Sequence, residues 1–127
     1  TGVRDAKIGS QTGNALSAIT QAPYGRLWQT PGVQSVMRDV ETECLAVAAA
    51  EGITLPEDSW AGIVRIAETM PGQLSSTAQD LARKKRSEID HLNGYIVHKG
   101  EAHAIPTPVN RTLTTLVKAM EHGFLHA

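Results

Sequence analysis

The chain has 127 residues and a formal net charge of −1 at pH 7. This length suits a single domain with its own core, and so small a charge creates no overall field that would attract nucleic acid or an anionic membrane surface. No apolar run approaches the roughly 18 residues that a transmembrane helix needs. The sequence therefore argues against a nucleic-acid-binding protein and against a membrane protein.

Composition narrows the class further. Hydrophobic residues make up 41% of the chain but aromatic residues only 4%, so we expect a core of alanine, leucine, isoleucine and valine. The single cysteine, Cys44, excludes an internal disulfide and fits a reducing compartment, and it is expected to be an inert core residue. We therefore expect a cytoplasmic protein. Because the chain begins with Thr1-Gly2-Val3, without an initiator methionine or a signal sequence, we also expect it to be a piece of something longer or a processed product.

The first part of the chain contains a short helical segment, a turn and a long helix. Residues 14–19 look helical, whereas residues 22–28 are typical of a turn whose Tyr, Leu and Trp side chains pack on the core. A longer helix is predicted from Thr30, with Pro31 at its first position, to a terminating Gly52. Its apolar residues recur at helical spacing and are Val33, Val36, Met37, Val40, Cys44 and Val47.

Two further helices are predicted in the middle of the chain. The first is opened by residues 56–58 and ends before Pro71. Its inward residues are Trp60, Ile63, Val64 and Ala67. A loop follows, and Ser76 with Gln79 fits a capping box at the start of a helix over residues 78–83. The basic run at 83–86 is expected to be a solvated ridge.

The next segment is predicted to be one helix that begins at Ser87. Ser87 and Asp90 fit a second capping box, in which a hydroxyl and a carboxylate each accept from a free backbone N–H group. This places Glu88 in the first helical turn. The prolines at 106 and 108 then end the helix.

The last helix is predicted to start at Pro108, with Thr107 as its cap, and to end at Gly123. Its apolar face comprises Val109, Leu113, Leu116, Val117 and Met120. No segment of the chain alternates polar and apolar residues over a useful length. We therefore predict an all-α fold.

A resemblance to a known family lies mainly after the basic run. Residues 88–97, Glu-Ile-Asp-His-Leu-Asn-Gly-Tyr-Ile-Val, are followed by Gly-Glu at 100–101 and by Ile-Pro-Thr-Pro-Val-Asn at 105–110. This pattern resembles the signature of the C-terminal domain of ketopantoate reductases. Segments at 14–20, 24–25, 50–53 and 75–81 agree with it in the family's order. The resemblance therefore covers nearly the whole chain.

The resemblance implies that residues 1–127 form a C-terminal substrate-binding helical domain, similar to the C-terminal domain of 6-phosphogluconate dehydrogenase. In the family a dinucleotide-binding domain precedes it, and the whole enzyme reduces 2-dehydropantoate to pantoate with NADPH in pantothenate biosynthesis. This chain has no G-x-G-x-x-G after a strand. An N-terminal Rossmann domain is therefore expected as a partner outside this chain, and the isolated chain is expected to be inactive. A homodimer is also expected.

Three residues match positions with a role in the family. Asn14 corresponds to a substrate-binding asparagine, Ser76 to the serine that holds the substrate's carboxylate, and Glu88 to a glutamate that contacts the cofactor and the substrate in the interdomain cleft. Each also has an ordinary structural explanation: a polar helix position, a helix N-cap and an acid near a helix N-terminus. Tyr24 stands where some members carry another substrate-binding asparagine.

The family's catalytic lysine has no counterpart in register. Four residues before Asn14, Ser10 takes the place of another substrate-binding asparagine, and four residues before that, Ala6 takes the place of the lysine. Lys7 is one residue further along, which on a straight helix is about 100° of rotation. Lys7 is the candidate for the acid that protonates the ketone oxygen, and the alternative is a solvated surface lysine.

Two other functions stay open. The displaced lysine would suit a related dehydrogenase for another 2-oxo acid, and the non-enzymatic alternative is a free-standing helical domain that serves association only. His91 and His98 lack a third ligand at a suitable spacing, so no metal site is predicted. The expected ligands are a small-molecule 2-oxo acid and NADP, the latter bound mainly by the N-terminal domain.

Overall fold

A computed structural model describes residues 13–53 and 59–125. These ranges contain α1 (Asn14–Thr20), α2 (Tyr24–Gln29), α3 (Val33–Ala50), α4 (Ser59–Thr69), α5 (Ser76–Ala82), a 3₁₀ turn (Ile89–His91), α6 (Asn93–Ala102) and α7 (Pro108–Leu125). They contain no strand, and the predicted all-α fold is confirmed. Lys7, Ser10 and the predicted helix start at 56–58 lie outside the described residues.

The core lies where α1 packs on α5 and α7, and where α7 packs on α3 and α6. Its small residues on α1, Ala15 and Ala18, are fully buried and allow the helices to approach closely. The larger members are aliphatic, as the low aromatic content predicts. They are Val40, Val47, Leu81, Ile89, Ile96, Leu113 and Val117. No helix in the described ranges is both long enough and apolar enough to cross a membrane.

The long helix α3 follows the predicted pattern, with a later start. It begins at Val33 instead of Thr30, because Gly32 has a φ of 89° and so lies outside helical geometry. Its C-terminus is as predicted: Gly52 has a φ of 72°, and the N–H groups of Gly52 and Ile53 donate to carbonyls of the last helical turn. This is the Schellman arrangement that favours glycine at the position after the cap.

Residues 24–29 form a helix, α2, so the prediction of a turn at 22–28 was wrong. Pro23 is extended, with φ −68° and ψ 159°, and its carbonyl accepts from Leu27 N at 3.1 Å, which starts the helix. The predicted packing is partly confirmed. Leu27 is buried, whereas Tyr24 and Trp28 are half-buried.

The prediction of one continuous helix from Ser87 was also wrong. The hydroxyl of Ser87 accepts from Ile89 N at 3.3 Å and donates to Glu121 on α7 at 2.7 Å. Asp90, the other half of the predicted capping box, instead pairs with Lys118 at 2.9 Å. Both side chains therefore bind α7, and only a 3₁₀ turn forms before α6 begins at Asn93.

The final helix α7 starts at Pro108, as predicted. The carbonyl of Thr107 accepts from Arg111 N at 2.9 Å. The free backbone N–H groups of Val109 and Asn110 donate to the side chain of Glu43 on α3. Two predictions for α7 were wrong. The helix continues past Gly123 to Leu125, and two residues assigned to the inward face, Leu116 and Met120, are 45% and 36% exposed.

Candidate functional site

The candidate site begins at Asn14, the half-buried first residue of α1. Its backbone carbonyl accepts from the hydroxyl of Ser75 at 2.9 Å, and its side-chain Oδ1 accepts from the hydroxyl of Tyr24 at 3.1 Å. One helical turn later, the buried hydroxyl of Ser17 accepts from Ser75 N at 3.1 Å and donates to Ala22 O at 2.8 Å. The first turn of α1 is therefore fixed to the residues just before α5.

Two adjacent serines at the start of α5 have different environments. Ser75 is buried and is the N-cap, because its hydroxyl accepts from Ala78 N at 3.0 Å. Ser76 is exposed and is the first residue of the helix. The predicted capping role of Ser76 was therefore wrong, since Ser75 fills it. Ser76 lies next to the residue that bonds Asn14, so the structure brings these two predicted site residues to the same end of the α1 and α5 pair.

Tyr24, whose hydroxyl bonds the Asn14 side chain, is held in place by the loop before α5. Its backbone N–H donates to Gln73 O at 3.0 Å, and that of Gly25 donates to Pro71 O at 2.9 Å. Gly25 lies so close to Pro71 that no side chain would fit, because a Cβ at Gly25 would lie 2.6 Å from Cβ of Pro71. Burial raises the pKa of the Tyr24 phenol, which therefore stays protonated at neutral pH.

A narrow apolar pocket extends from Tyr24 between α2, α3 and α4. It is lined by Gly13, Tyr24, Leu27, Trp28, Met37, Ile63, Ile66 and Ala67. At its edge the rings of Trp28 and Trp60 lie 5.6 Å apart, and the guanidinium carbon of Arg38 lies 3.8 Å from the centre of the Trp60 ring. The lining of this pocket is therefore mainly hydrophobic, and Tyr24 joins it to Asn14.

Glu88 lies apart from this pair. It is exposed and directly precedes the 3₁₀ turn, whose first residue Ile89 is buried in the same core as Ala15 and Ala78. No hydrogen bond among the described residues joins Glu88 to Asn14 or Ser76. The two remaining candidates, Lys7 and Ser10, lie outside the described residues. In the parts of the chain that the structure describes, no group of three or more His, Cys, Asp or Glu residues is arranged to hold a metal ion.

Ser75 is the site-supporting residue that sequence reasoning missed. Residues 75–77 read Ser-Ser-Thr, and each hydroxyl is an acceptable N-cap. The burial of Thr77, Ala78 and Leu81 fixes the register, since these residues form the face of α5 that packs inward. The only signal in the sequence is the apolar spacing of Ala78 and Leu81.

Comparison with known proteins decides the family. Residues 8–121 match the family described as "Ketopantoate reductase PanE/ApbA C terminal". The chain belongs to this family. The expected resemblance to ketopantoate reductases is thereby confirmed, and the helical fold is that of their C-terminal domain.

Relatives of this ketopantoate reductase domain include longer proteins. A 2-dehydropantoate 2-reductase of Pyrobaculum aerophilum is 41% identical over 108 residues, which are 85% of this chain and 39% of the relative. A PanE/ApbA family ketopantoate reductase of Ralstonia eutropha JMP134, known from its crystal structure, is 61% identical with a TM-score of 0.92 and covers 96% of this chain and 41% of its own. This chain thus spans about two fifths of the length of both proteins.

A solved D-mandelate dehydrogenase has the same helical fold. It is 28% identical with a TM-score of 0.84, and the match covers 98% of this chain and 52% of that protein. That structure contains NADH and anilino(oxo)acetate. The fold of the ketopantoate reductase C-terminal domain therefore also occurs in a D-mandelate dehydrogenase. The fold alone does not identify the substrate.

Proposed function

We propose that this chain is the substrate-binding C-terminal domain of an NADPH-dependent reductase that converts 2-dehydropantoate to pantoate. The observation that carries the proposal is the arrangement of Asn14 and Ser76 at one end of the α1 and α5 pair, in a chain of the ketopantoate reductase family. A dinucleotide-binding domain precedes the chain in the full-length protein. The isolated chain does not turn over substrate.

A 2-oxo acid presents two groups that accept hydrogen bonds, a carboxylate and a ketone oxygen. The amide of Asn14 and the exposed hydroxyl of Ser76 are donors of the kind that such groups need. We assign the carboxylate to Ser76 and an oxygen near the reacting carbon to Asn14. Ser75 and Ser17 keep Asn14 and Ser76 in place, because their buried hydrogen bonds hold α1 against the start of α5.

The reaction needs a hydride and a proton. The nicotinamide cofactor supplies the hydride to the ketone carbon and is oxidised, while the ketone is reduced to an alcohol. The proton that completes the alcohol comes from a general acid beside the ketone oxygen. Lys7 is the residue that the sequence offers for this role, and Ser10 is the one that it offers for a further substrate contact.

The described residues of this chain are expected to contribute little to cofactor binding. They contain no strand, and so no turn between a strand and a helix that could hold a pyrophosphate. We therefore assign the nucleotide to the preceding domain and give this chain one contact, from the exposed carboxylate of Glu88. Glu88→Gln in the full-length protein is expected to raise the KM for NADPH and lower turnover, and unchanged values of both would remove this assignment.

The test of the function is an assay of the full-length protein with NADPH and 2-dehydropantoate. Loss of NADPH absorbance and formation of one pantoate for each NADPH consumed are expected. If no NADPH is consumed with 2-dehydropantoate, the proposal is wrong. If none is consumed with any other 2-oxo acid either, a role in association without catalysis takes its place.

A second substrate class is favoured by one observation. The half-buried ring of Tyr24 lies beside Asn14 and offers an aromatic surface there, in a helical fold that a D-mandelate dehydrogenase shares. Phenylglyoxylate, an aromatic 2-oxo acid, therefore belongs in the same assay. A higher kcat/KM for phenylglyoxylate than for 2-dehydropantoate would assign the protein to this second class.

A further inference from the structure

The hydrogen bond between Tyr24 and Asn14 limits what the Asn14 amide can do. An asparagine side chain has one oxygen that accepts and one NH₂ group that donates, and rotation by half a turn exchanges them. The Tyr24 hydroxyl donates to Oδ1 at 3.1 Å. In the structure Oδ1 therefore faces Tyr24, and the NH₂ group faces away from it.

Both partners of this bond are held in place by their surroundings. The backbone of Asn14 is fixed through its carbonyl, which accepts from the Ser75 hydroxyl at 2.9 Å. Tyr24 is fixed by the hydrogen bond from its backbone N–H to Gln73 O. Its ring lies against Gly13, where an added Cβ would be 3.5 Å from Cε1 of the ring. The Tyr24 hydroxyl therefore has little freedom to leave Asn14.

We propose that Tyr24 is a positioning residue that turns the Asn14 amide so that only its NH₂ group faces the 2-oxo acid. This inference rests on the proposed role of Asn14 in binding substrate. An Asn14 side chain that can only donate to the substrate suits a carboxylate or a ketone oxygen, since both accept hydrogen bonds. It does not suit a substrate group that has to donate to the amide.

The first test is a double-mutant cycle in the full-length protein, assayed with 2-dehydropantoate or, if the substrate assay selects it, phenylglyoxylate. Tyr24→Phe keeps the ring and removes the hydroxyl, and it is expected to raise the KM for the 2-oxo acid by about three- to tenfold. Asn14→Ala is expected to raise it at least as much. The double variant is expected to match Asn14→Ala, because Tyr24 acts through Asn14.

The control for Tyr24→Phe is the same substitution at Tyr95, the other tyrosine, which lies on α6. The KM for NADPH is expected to stay unchanged in every variant, and thermal melting checks that each remains folded. If Tyr24→Phe has the same substrate KM as Tyr95→Phe, or if the losses of the two single variants multiply in the double variant, Tyr24 does not position Asn14.

Asn14→Asp gives a second and independent test. The aspartate keeps an oxygen to accept from Tyr24 but has no NH₂ group, so substrate binding is expected to be at least as weak as in Asn14→Ala. A substrate KM equal to that of the unaltered protein would contradict the inference. These failures differ from failure of the proposed function, in which the unaltered protein reduces no 2-oxo acid and the inference falls with it.

Discussion

Ser75 and Ser76 are neighbours in the chain, yet the structure gives them different tasks. The buried Ser75 hydroxyl accepts from Ala78 N and donates to Asn14 O, so it joins two helices. Ser76 is exposed and has no part in the cap. Stability should therefore depend on the first serine, and substrate binding on the second.

Ser75→Ala is expected to lower the free energy of unfolding by about 1–2 kcal/mol, because it removes a helix cap and a hydrogen bond between helices. Ser76→Ala is expected to change it by less than about 0.5 kcal/mol, as is usual for an exposed site. Urea unfolding of the two variants measures both values. A larger loss for Ser76→Ala than for Ser75→Ala would mean that the cap has been assigned to the wrong serine.

The residues of the candidate site could be named from the sequence only through family resemblance. Composition and spacing alone leave Asn14 an ordinary polar helix position. The bond from Tyr24 to Asn14 joins residues on two separate helices, and no local pattern predicts it, because a predicted turn at 22–28 gives the tyrosine no fixed direction. Packing of Gly25 against Pro71 sets that direction.

Two glycines that were predicted to end a helix, Gly52 and Gly123, differ in backbone conformation. Gly52 has a positive φ and terminates α3, as the sequence predicted. Gly123 lies inside α7 and is not among the described glycines of positive φ, so the predicted helix end there was wrong. Glycine alone is therefore a weak stop signal unless the following residues leave the helix.

Gly123→Ala is expected to raise the free energy of unfolding by up to about 1 kcal/mol, because alanine loses less backbone entropy in a helix than glycine. An added Cβ meets no heavy atom within 4 Å there. Gly52→Ala is the matched control and is expected to destabilise, since its φ of 72° strains a residue with a side chain. Thermal melting compares the two. Destabilisation by Gly123→Ala would indicate that α7 ends earlier.

A surface ion cluster ties the end of α3 to the end of α6. The carboxylate of Glu51 lies within hydrogen-bond distance of His103 Nε2 and 3.6 Å from Lys99 Nζ. The hydrogen bond with His103, followed by the charge of Lys99, holds the pKa of Glu51 below its ordinary value. The ionised carboxylate is therefore favoured in the folded state.

The sign of the pH dependence follows from that lowered pKa. The contribution of Glu51 to stability is present above the pKa of the unfolded chain and is lost as pH falls through the lower pKa of the folded chain. The difference in stability between the unaltered chain and Glu51→Gln is expected to be positive at pH 7 and to shrink on acidification. Urea unfolding across this range measures it, with Glu101→Gln as a control for lost charge. A difference that grows on acidification would contradict the assignment.

For the whole molecule, helical periodicity was enough to predict the fold class but not the arrangement of the helices. Glu43 on α3 accepts from the backbone N–H groups of Val109 and Asn110, 66 and 67 residues away in sequence. The buried Asn110 side chain in turn accepts from Asn93 on α6 and donates to Glu43. These polar contacts fix how α3, α6 and α7 meet, and no periodic pattern encodes such distant partners.

The expected homodimer stays a prediction at this scale. Leu116 and Met120 lie one turn apart on α7 and are 45% and 36% exposed, which leaves apolar surface that association would bury. Sedimentation of the full-length protein is expected to give the mass of two chains. The mass of a single chain at every concentration tested would show that the predicted dimer is wrong.

Two Michaelis constants of the full-length protein show whether this chain binds the substrate. Ser76→Ala is expected to raise the KM for the 2-oxo acid by about ten- to hundredfold, as loss of a hydrogen bond to a charged group implies, while the KM for NADPH stays unchanged. Ser35→Ala, at an exposed position on α3, should change neither. An unchanged substrate KM in Ser76→Ala, or a rise confined to the KM for NADPH, would contradict the account.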